Sequence, residues 1–356
     1  MSGTATKKTF NAVYSVKGGC GKTAFSVFLA YYLAKSKQSD ESKVCLIDTD
    51  ILGSSMLNTF RVLKNDKNED ILDLLRNSHY RFINEIVNVD RLAKYKEFLI
   101  DLKDLENLGR QDDALQEAQS VNKDVGFYIA FSSPKSGDID RYRQNSAHEY
   151  IPNVSHNLFR VSFKAFINDE VCFNDIEDLV YDLPPNADGF SGTVFDSIFG
   201  KDNKKDKIGL DSDRRNLFYI MNLDSGHILP AIREISSMLS QSDMEVPTNI
   251  FLVINNMFKS DDFPEVAEER RKKIIDEINR TMSSVTDYQR IYCLFFPYYE
   301  NYMQAVVGNG CEGILKAGLD HVFAIDETIE IYDIDGTMLH NSADADQTLY
   351  KIITGE

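Results

Sequence analysis

No run of 18 uninterrupted apolar residues occurs in this chain, so no segment reads as a membrane-crossing helix. The opening stretch, MSGTATKKTFNAVYSV, lacks an apolar export segment followed by a small-residue cleavage site, and the expectation is an intracellular, cytoplasmic protein. Paired cysteines are missing too. Cys20, Cys45, Cys172, Cys293 and Cys311 stand singly with no C-x-x-C, which excludes a disulfide framework and a zinc knuckle. The six histidines are equally dispersed and do not read as ligands. Positive charge is scarce: 39 Lys and Arg face 56 Asp and Glu, a net charge of −17. Phosphate contacts need cations, so a chain whose whole surface binds DNA or anionic lipid is excluded, and only a local basic patch stays open. No internal repeat is visible.

What is present is a series of short, nearly continuous apolar runs separated by helical stretches. The runs lie at 9–16, 43–48, 125–131, 178–183, 217–223, 249–255 and 290–296. Runs of this kind suit strands covered on both faces, and their alternation with helices predicts a doubly wound, mostly parallel α/β sheet of about seven strands with helices on both faces. We read residues 1–325 as one elaborated domain. Residues 78–124, with Phe82, Ile86, Val89 and Leu92 at helical spacings, read as a helical insertion, and 201–216 as a polar, solvated loop. A C-terminal extension, 326–356, contains IEIYDIDGTML, a candidate hairpin turning at Asp335-Gly336.

The stretch SVKGGCGKTAF, residues 15–25, carries the chemistry. It follows a strand and opens a helix read as amphipathic, the setting in which glycines let backbone amides close on a phosphate. Gly18, Gly19 and Gly21 supply that freedom, with Cys20 and Ala24 completing the phosphate-facing stretch. Lys22 is expected to reach the β- and γ-phosphates and Thr23 to offer its hydroxyl to Mg²⁺. The opening glycine of the usual loop is replaced by Val16, and a second lysine, Lys17, follows it. A second cation so close to the phosphates calls for a neutralising anion.

This loop resembles the deviant Walker A loop, K-G-G-x-G-K-[ST], of the ParA/MinD group of P-loop ATPases. The resemblance implies that Lys17 acts across a homodimer on the partner's nucleotide, as an arginine finger would. It also implies roles further along the chain. CLIDTD (45–50) is similar to the family's second motif, with Asp48 near Mg²⁺ and Asp50 orienting the attacking water. LVYDLPPNADGF (179–190) resembles Walker B, with Asp182 on Mg²⁺. FLVINN (251–256) resembles the strand whose asparagine contacts adenine, here Asn255, and FPYYENYMQAVVGNG (296–310) the proline-led loop beside the base, with Pro297 and Tyr298. Three departures stand out: Ala24 replaces a frequent second hydroxyl residue, DTDILGSS lacks the proline common after its second aspartate, and Asn186 replaces a frequent glycine. Cys20 fills the freely variable loop position and reads as inert, although a helix N-terminus lowers a thiol's pKa.

The implied function is an ATPase with slow hydrolysis whose ATP-dependent dimerisation switches binding to DNA or a partner protein, for DNA partitioning or intracellular positioning. The implied cofactors are ATP and Mg²⁺. The chain ends in NSADADQTLYKIITGE, acidic and polar rather than basic and amphipathic, and no membrane partner is expected. The run EERRKK (268–273) is the one candidate for a nonspecific DNA patch, against a solvated helix face. Two other readings remain open: an ATP-dependent metabolic ligase resembling dethiobiotin synthetase, and a nucleotide-binding adaptor with little turnover.

Overall fold

The computed structural model describes residues 7–37, 43–51, 56–60, 70–88, 95–109, 125–135, 161–185, 190–200, 213–222, 225–240, 245–257, 264–282, 290–297, 299–306, 313–323, 329–340 and 345–355. Among the described residues ten strands form one sheet: β1 (Thr9–Tyr14), β2 (Val44–Asp48), β3 (Ile100–Asp101), β4 (Tyr128–Ala130), β5 (Asp178–Asp182), β6 (Arg214–Asn222), β7 (Asn249–Met257), β8 (Ile291–Pro297), β9 (Glu330–Asp333) and β10 (Met338–His340). Their order is β10-β9-β8-β7-β6-β1-β5-β2-β4-β3.

All seven expected strands are found, and the six contacts from β4 to β8 are parallel. The count of about seven needs correction to ten, because β3, β9 and β10 add antiparallel edges. These three are only two to four residues long, so they lack the long apolar run that marks a central strand. Along β7 the alternation shows why the central runs are continuous: Ile250, Leu252 and Ile254 pack into the core on one face, and Phe251 and Val253 into the core on the other.

The helix α1 (Lys22–Ser36) corrects a second expectation. It is not amphipathic: every residue from Phe25 to Ala34 is buried, because α1 touches β2, β5, the short helix α2 (Met56–Phe60) and the C-terminal helix Ala345–Thr354. The insertion is not wholly helical either. Within 78–109 it forms two 3₁₀ turns (Ile83–Asn88 and Tyr95–Phe98), the edge strand β3 and one helix, Leu102–Gly109. Phe82 and Ile86 are buried as expected, while Val89, Leu92 and residues 110–124 lie outside the described residues. Of the polar loop 201–216, Arg214, Arg215 and Asn216 belong instead to β6, and 201–212 fall outside the described residues.

The tail joins the sheet. β9 pairs with β8, and β10 turns back on β9 through Gly336, whose φ of +83° is left-handed backbone that glycine adopts without a side-chain clash. The helix Ala345–Thr354 then docks beneath the sheet. A helix end leaves four carbonyls without partners, and here the sheet supplies the donors. Asn249 Nδ2 and Arg214 Nη2 donate to the Ile352 carbonyl at 2.8 and 3.0 Å, and Asn216 Nδ2 to that of Ile353 at 3.2 Å. The same asparagines form a buried ladder, Asn249 to Asn216 and Asn216 to Asn11, each step 2.8 Å.

Candidate nucleotide site

Register brings the site together. Val13, at the exit of β1, lies opposite Asp182 at the end of β5, and Asp182 lies opposite Asp48 at the end of β2. All three therefore reach the carboxyl edge of the sheet where strand order reverses, the place where open α/β sheets bind ligands. A cavity of about 630 Å³ opens there. Its wall includes Gly18, Gly19, Gly21, Lys22, Thr23, Ala24, Asp50, Asp182, Asn255 and Pro297, ten of the residues expected from the sequence.

The loop ends at Gly21, the N-cap of α1, with φ +89° and no side-chain cap. The first amides of α1 are thus left without a side-chain acceptor, as an anion-binding helix end requires. Gly21 is needed for a second reason. A Cβ there would lie 2.1 Å from Asn255 Nδ2, and that nitrogen donates to the Cys20 carbonyl at 2.8 Å. Asn255 therefore clamps the loop from the end of β7.

Lys22 is only 8% exposed, and its ammonium makes no ion pair or hydrogen bond to any described residue. Its charge acts on the neighbouring Asp182 carboxyl, and the donors of its ammonium stay open to an anion in the cavity. Beside it, Asp182 Oδ2 accepts from the Thr23 hydroxyl at 2.8 Å and Oδ1 from the Ser26 hydroxyl at 3.0 Å. Burial raises the Asp182 carboxyl to about 6, against the Thr23 hydroxyl, the Lys22 charge and the Ser26 hydroxyl, while the Asp50 charge adds to the rise. A cation would relieve that burial cost. A hydroxyl and a carboxylate are hard oxygen donors of the kind magnesium takes, with phosphate and water completing the shell. Among the described residues, no three His, Cys, Asp or Glu side chains cluster as a self-sufficient metal site.

Three expected residues lie outside the cavity wall. Lys17 is exposed, and its side chain has no partner among the described residues. Its carbonyl, by contrast, is pinned inward by the Ser15 hydroxyl at 2.8 Å and the Cys20 thiol at 3.3 Å. The Cys20 Sγ stands 2.9 Å from Ser15 Oγ as well, its single proton shared between the two contacts, so this buried side chain is packed inside the loop rather than in the cavity wall. Asp48 is fully buried; Oδ1 accepts the Asp50 N–H at 3.0 Å and Oδ2 the Ser132 N–H at 3.3 Å. Tyr298 and Asn186 lie outside the described residues.

The far wall is aromatic: Phe296, Tyr299, Tyr302 and Met303 come from the stretch 296–310 that resembles the loop beside the base, although only Pro297 and Tyr298 were singled out in it, and Phe323, which no motif marks, completes it. Ser26 was findable: three residues after Thr23 on a helix, it shares a face with it.

Strand, glycine loop, buried lysine and hydroxyl–carboxylate pair define the α/β P-loop NTPase class. Comparison with known families agrees. Residues 6–79, the unit holding β1, the loop, α1 and β2, match the ParA family model described as NUBPL iron-transfer P-loop NTPase. The ParA/MinD-like resemblance is thus found in the segment that suggested it. No curated protein sequence matches the chain. Among solved structures, the ParA family ATPase of Chlorobium tepidum is 15% identical, with 90% of this chain and 95% of that one covered at a TM-score of 0.48. A putative plasmid partition protein of Borrelia burgdorferi bound to AMPPNP is 17% identical, with 85% and 90% covered and a TM-score of 0.47. The septum site-determining protein MinD of Pyrococcus horikoshii, complexed with Mg-ADP, is 13% identical, with 74% and 76% covered and a TM-score of 0.36.

Proposed function

We propose that this chain is a slow ATPase of ParA/MinD type whose ATP-bound form is a homodimer. The ammonium of Lys22, with no hydrogen bond to any described residue, beside the Thr23–Asp182 pair in the cavity wall carries this reading, because a polyphosphate would complete its donors. In this reading Lys22 and the first amides of α1 hold the phosphates, and Asp50, in the cavity wall, orients the attacking water. Thr23 and Asp182 hold magnesium, which when bound supplies charge neutralisation at the phosphates. The aromatic end of the cavity, with Asn255 and Pro297 at its edge, accommodates the base.

Lys17 fits a role in trans. Its exposed ammonium lies outside its own cavity wall while its carbonyl is held, so a phosphate from a second copy is its natural partner. The decisive measurement is molar mass of the Asp50→Ala variant with saturating ATP and magnesium. A dimer that reverts to monomer in Asp50→Ala/Lys17→Ala supports the switch; a monomer throughout rejects it.

For the cargo we favour a partner protein over DNA. In EERRKK, Arg271 pairs with Glu330 at 3.1 Å, both side chains largely buried, which removes one of four cations from any phosphate-binding patch, and Glu269 partly offsets Lys273 at 2.6 Å.

A further inference from the structure

We infer that the insertion governs hydrolysis through one buried side chain, Asn84, a positioning residue for the loop that carries Asp50. The inference rests on the ATPase reading above and adds a control point to it.

Asn84 lies in the 3₁₀ turn Ile83–Asn88 and is 4% exposed. Its Oδ1 accepts the Ser133 N–H at 2.6 Å, and its Nδ2 donates to the Ser133 carbonyl at 3.3 Å, so the amide grips one residue's main chain on both sides. The same Nδ2 stands 3.5 Å from the Ile51 carbonyl, a long contact made to the residue immediately after Asp50. Next to Ser133, the Ser132 N–H and hydroxyl reach Asp48 Oδ2 at 3.3 Å and the Asp48 carbonyl at 2.9 Å. Asp48 Oδ1 in turn accepts the Asp50 N–H.

These contacts form a closed ring: Asn84, Ser133, Ser132, Asp48, Asp50, Ile51 and back to Asn84. Every other member belongs to β2, β4 or the turns that follow them. Asn84 alone comes from the insertion, and it closes the ring from outside the nucleotide fold. The neighbouring Ile83 N–H, donating to the Phe131 carbonyl at 2.8 Å, fixes the turn against the end of β4. Asn84 is not in the cavity wall and touches no ligand position. Its effect must therefore pass through where Asp50 stands, and it falls on the chemical step rather than on nucleotide affinity. Any force that shifts the insertion shifts this ring, so the insertion becomes a route by which a bound partner sets the rate.

The test compares wild type with Asn84→Ala in single-turnover ATP hydrolysis, affinity for a fluorescent ATP analogue, and amide hydrogen exchange. Misplacing a water-orienting group by less than 1 Å costs on the order of tenfold to a hundredfold in rate, so kcat should fall by about that factor. Affinity should stay within about twofold, and exchange should quicken across 48–51 but not across 15–25. Tyr80→Phe, which removes a 2.6 Å bond to Asp104 inside the insertion, should leave all three unchanged. If Asn84→Ala does not fold, Asn84→Asp keeps the acceptor for Ser133 and loses the donor, and must show the same split. Unchanged turnover and exchange overturn the inference, as does an equal fall in kcat and affinity. Absence of turnover in the wild type overturns the ATPase reading instead, and the exchange comparison still decides whether Asn84 holds the loop.

Discussion

At the scale of single residues, Asp182 sets the strongest pH dependence of the site. Its folded carboxyl is raised to about 6 by burial, above the ordinary 3.8, so the folded chain binds more protons than the unfolded one between about pH 4 and 6. The stability of the nucleotide-free protein therefore falls as pH rises through that window. An asparagine carries no charge to bury. We expect Asp182→Asn to be more stable than wild type above pH 6 by about 2 to 3 kcal/mol, with the difference closing below about pH 4, as read from denaturant melts across pH. A constant difference at all pH values would show that the carboxyl is not strained by burial. The loop around it was the most legible part of the chain, because its glycines, Lys22 and Thr23 are a local motif whose spacing is enough to shape it.

At the scale of elements, polar side chains buried under the sheet decide how the ends of the chain attach. Asn11, Asn216 and Asn249, on β1, β6 and β7, form a row that ends on the last carbonyls of the helix Ala345–Thr354. Removing the middle member strands partners on both sides. We expect Asn216→Ala to cost about 1 to 3 kcal/mol for the buried groups it leaves unmade. Chemical denaturation should show the loss, with amides of the C-terminal helix exchanging faster than those of α1. Gly355 closes this corner at φ +77°, where a Cβ would come within 1.9 Å of Arg214 Nη1. None of this was legible beforehand. An asparagine in a strand reads as a weak strand former, and only a neighbour from elsewhere in the chain turns it into a cap. The hairpin turn at Asp335-Gly336 was legible, because its signal is local. The amphipathic reading of α1 failed on the sequence itself. Residues 24–34 are apolar on nearly every face, which already marks a fully buried helix; what the sequence did not show is that the helix covering it comes from some 300 residues away.

At the scale of the whole molecule, the net charge of −17 opposes association with any polyanion. The basic run on the helix Pro264–Met282 does not reverse it, since Arg271 is tied to β9 and Glu268 and Glu269 stand beside the remaining cations. We expect no retention on DNA at about 50 mM salt, with or without a nonhydrolysable ATP analogue, where even a few phosphate contacts would be detectable. Nucleotide-dependent retention that weakens steeply with salt would restore DNA as the cargo. Among the described residues no helix is long and apolar enough to cross a membrane.

The positions of the parallel strands along the chain, the phosphate loop and the residues that end β1, β2, β5 and β7 were determined by the sequence alone, whereas the order of the strands in the sheet was not. Each depends on neighbours within a few positions: a covered strand needs only its own apolar run, and a loop only its own glycines. Tertiary structure alone decided which aspartate faces the cavity and which is sealed behind it. Asp182 and Asp48 both end apolar strands, but Ser132 and the Asp50 main chain claim one carboxylate while the other, bonded to the Thr23 hydroxyl, lines the cavity. Three-dimensional packing likewise recruited the insertion and the tail, because hydrogen bonds between distant segments exist only after the sheet has brought them together.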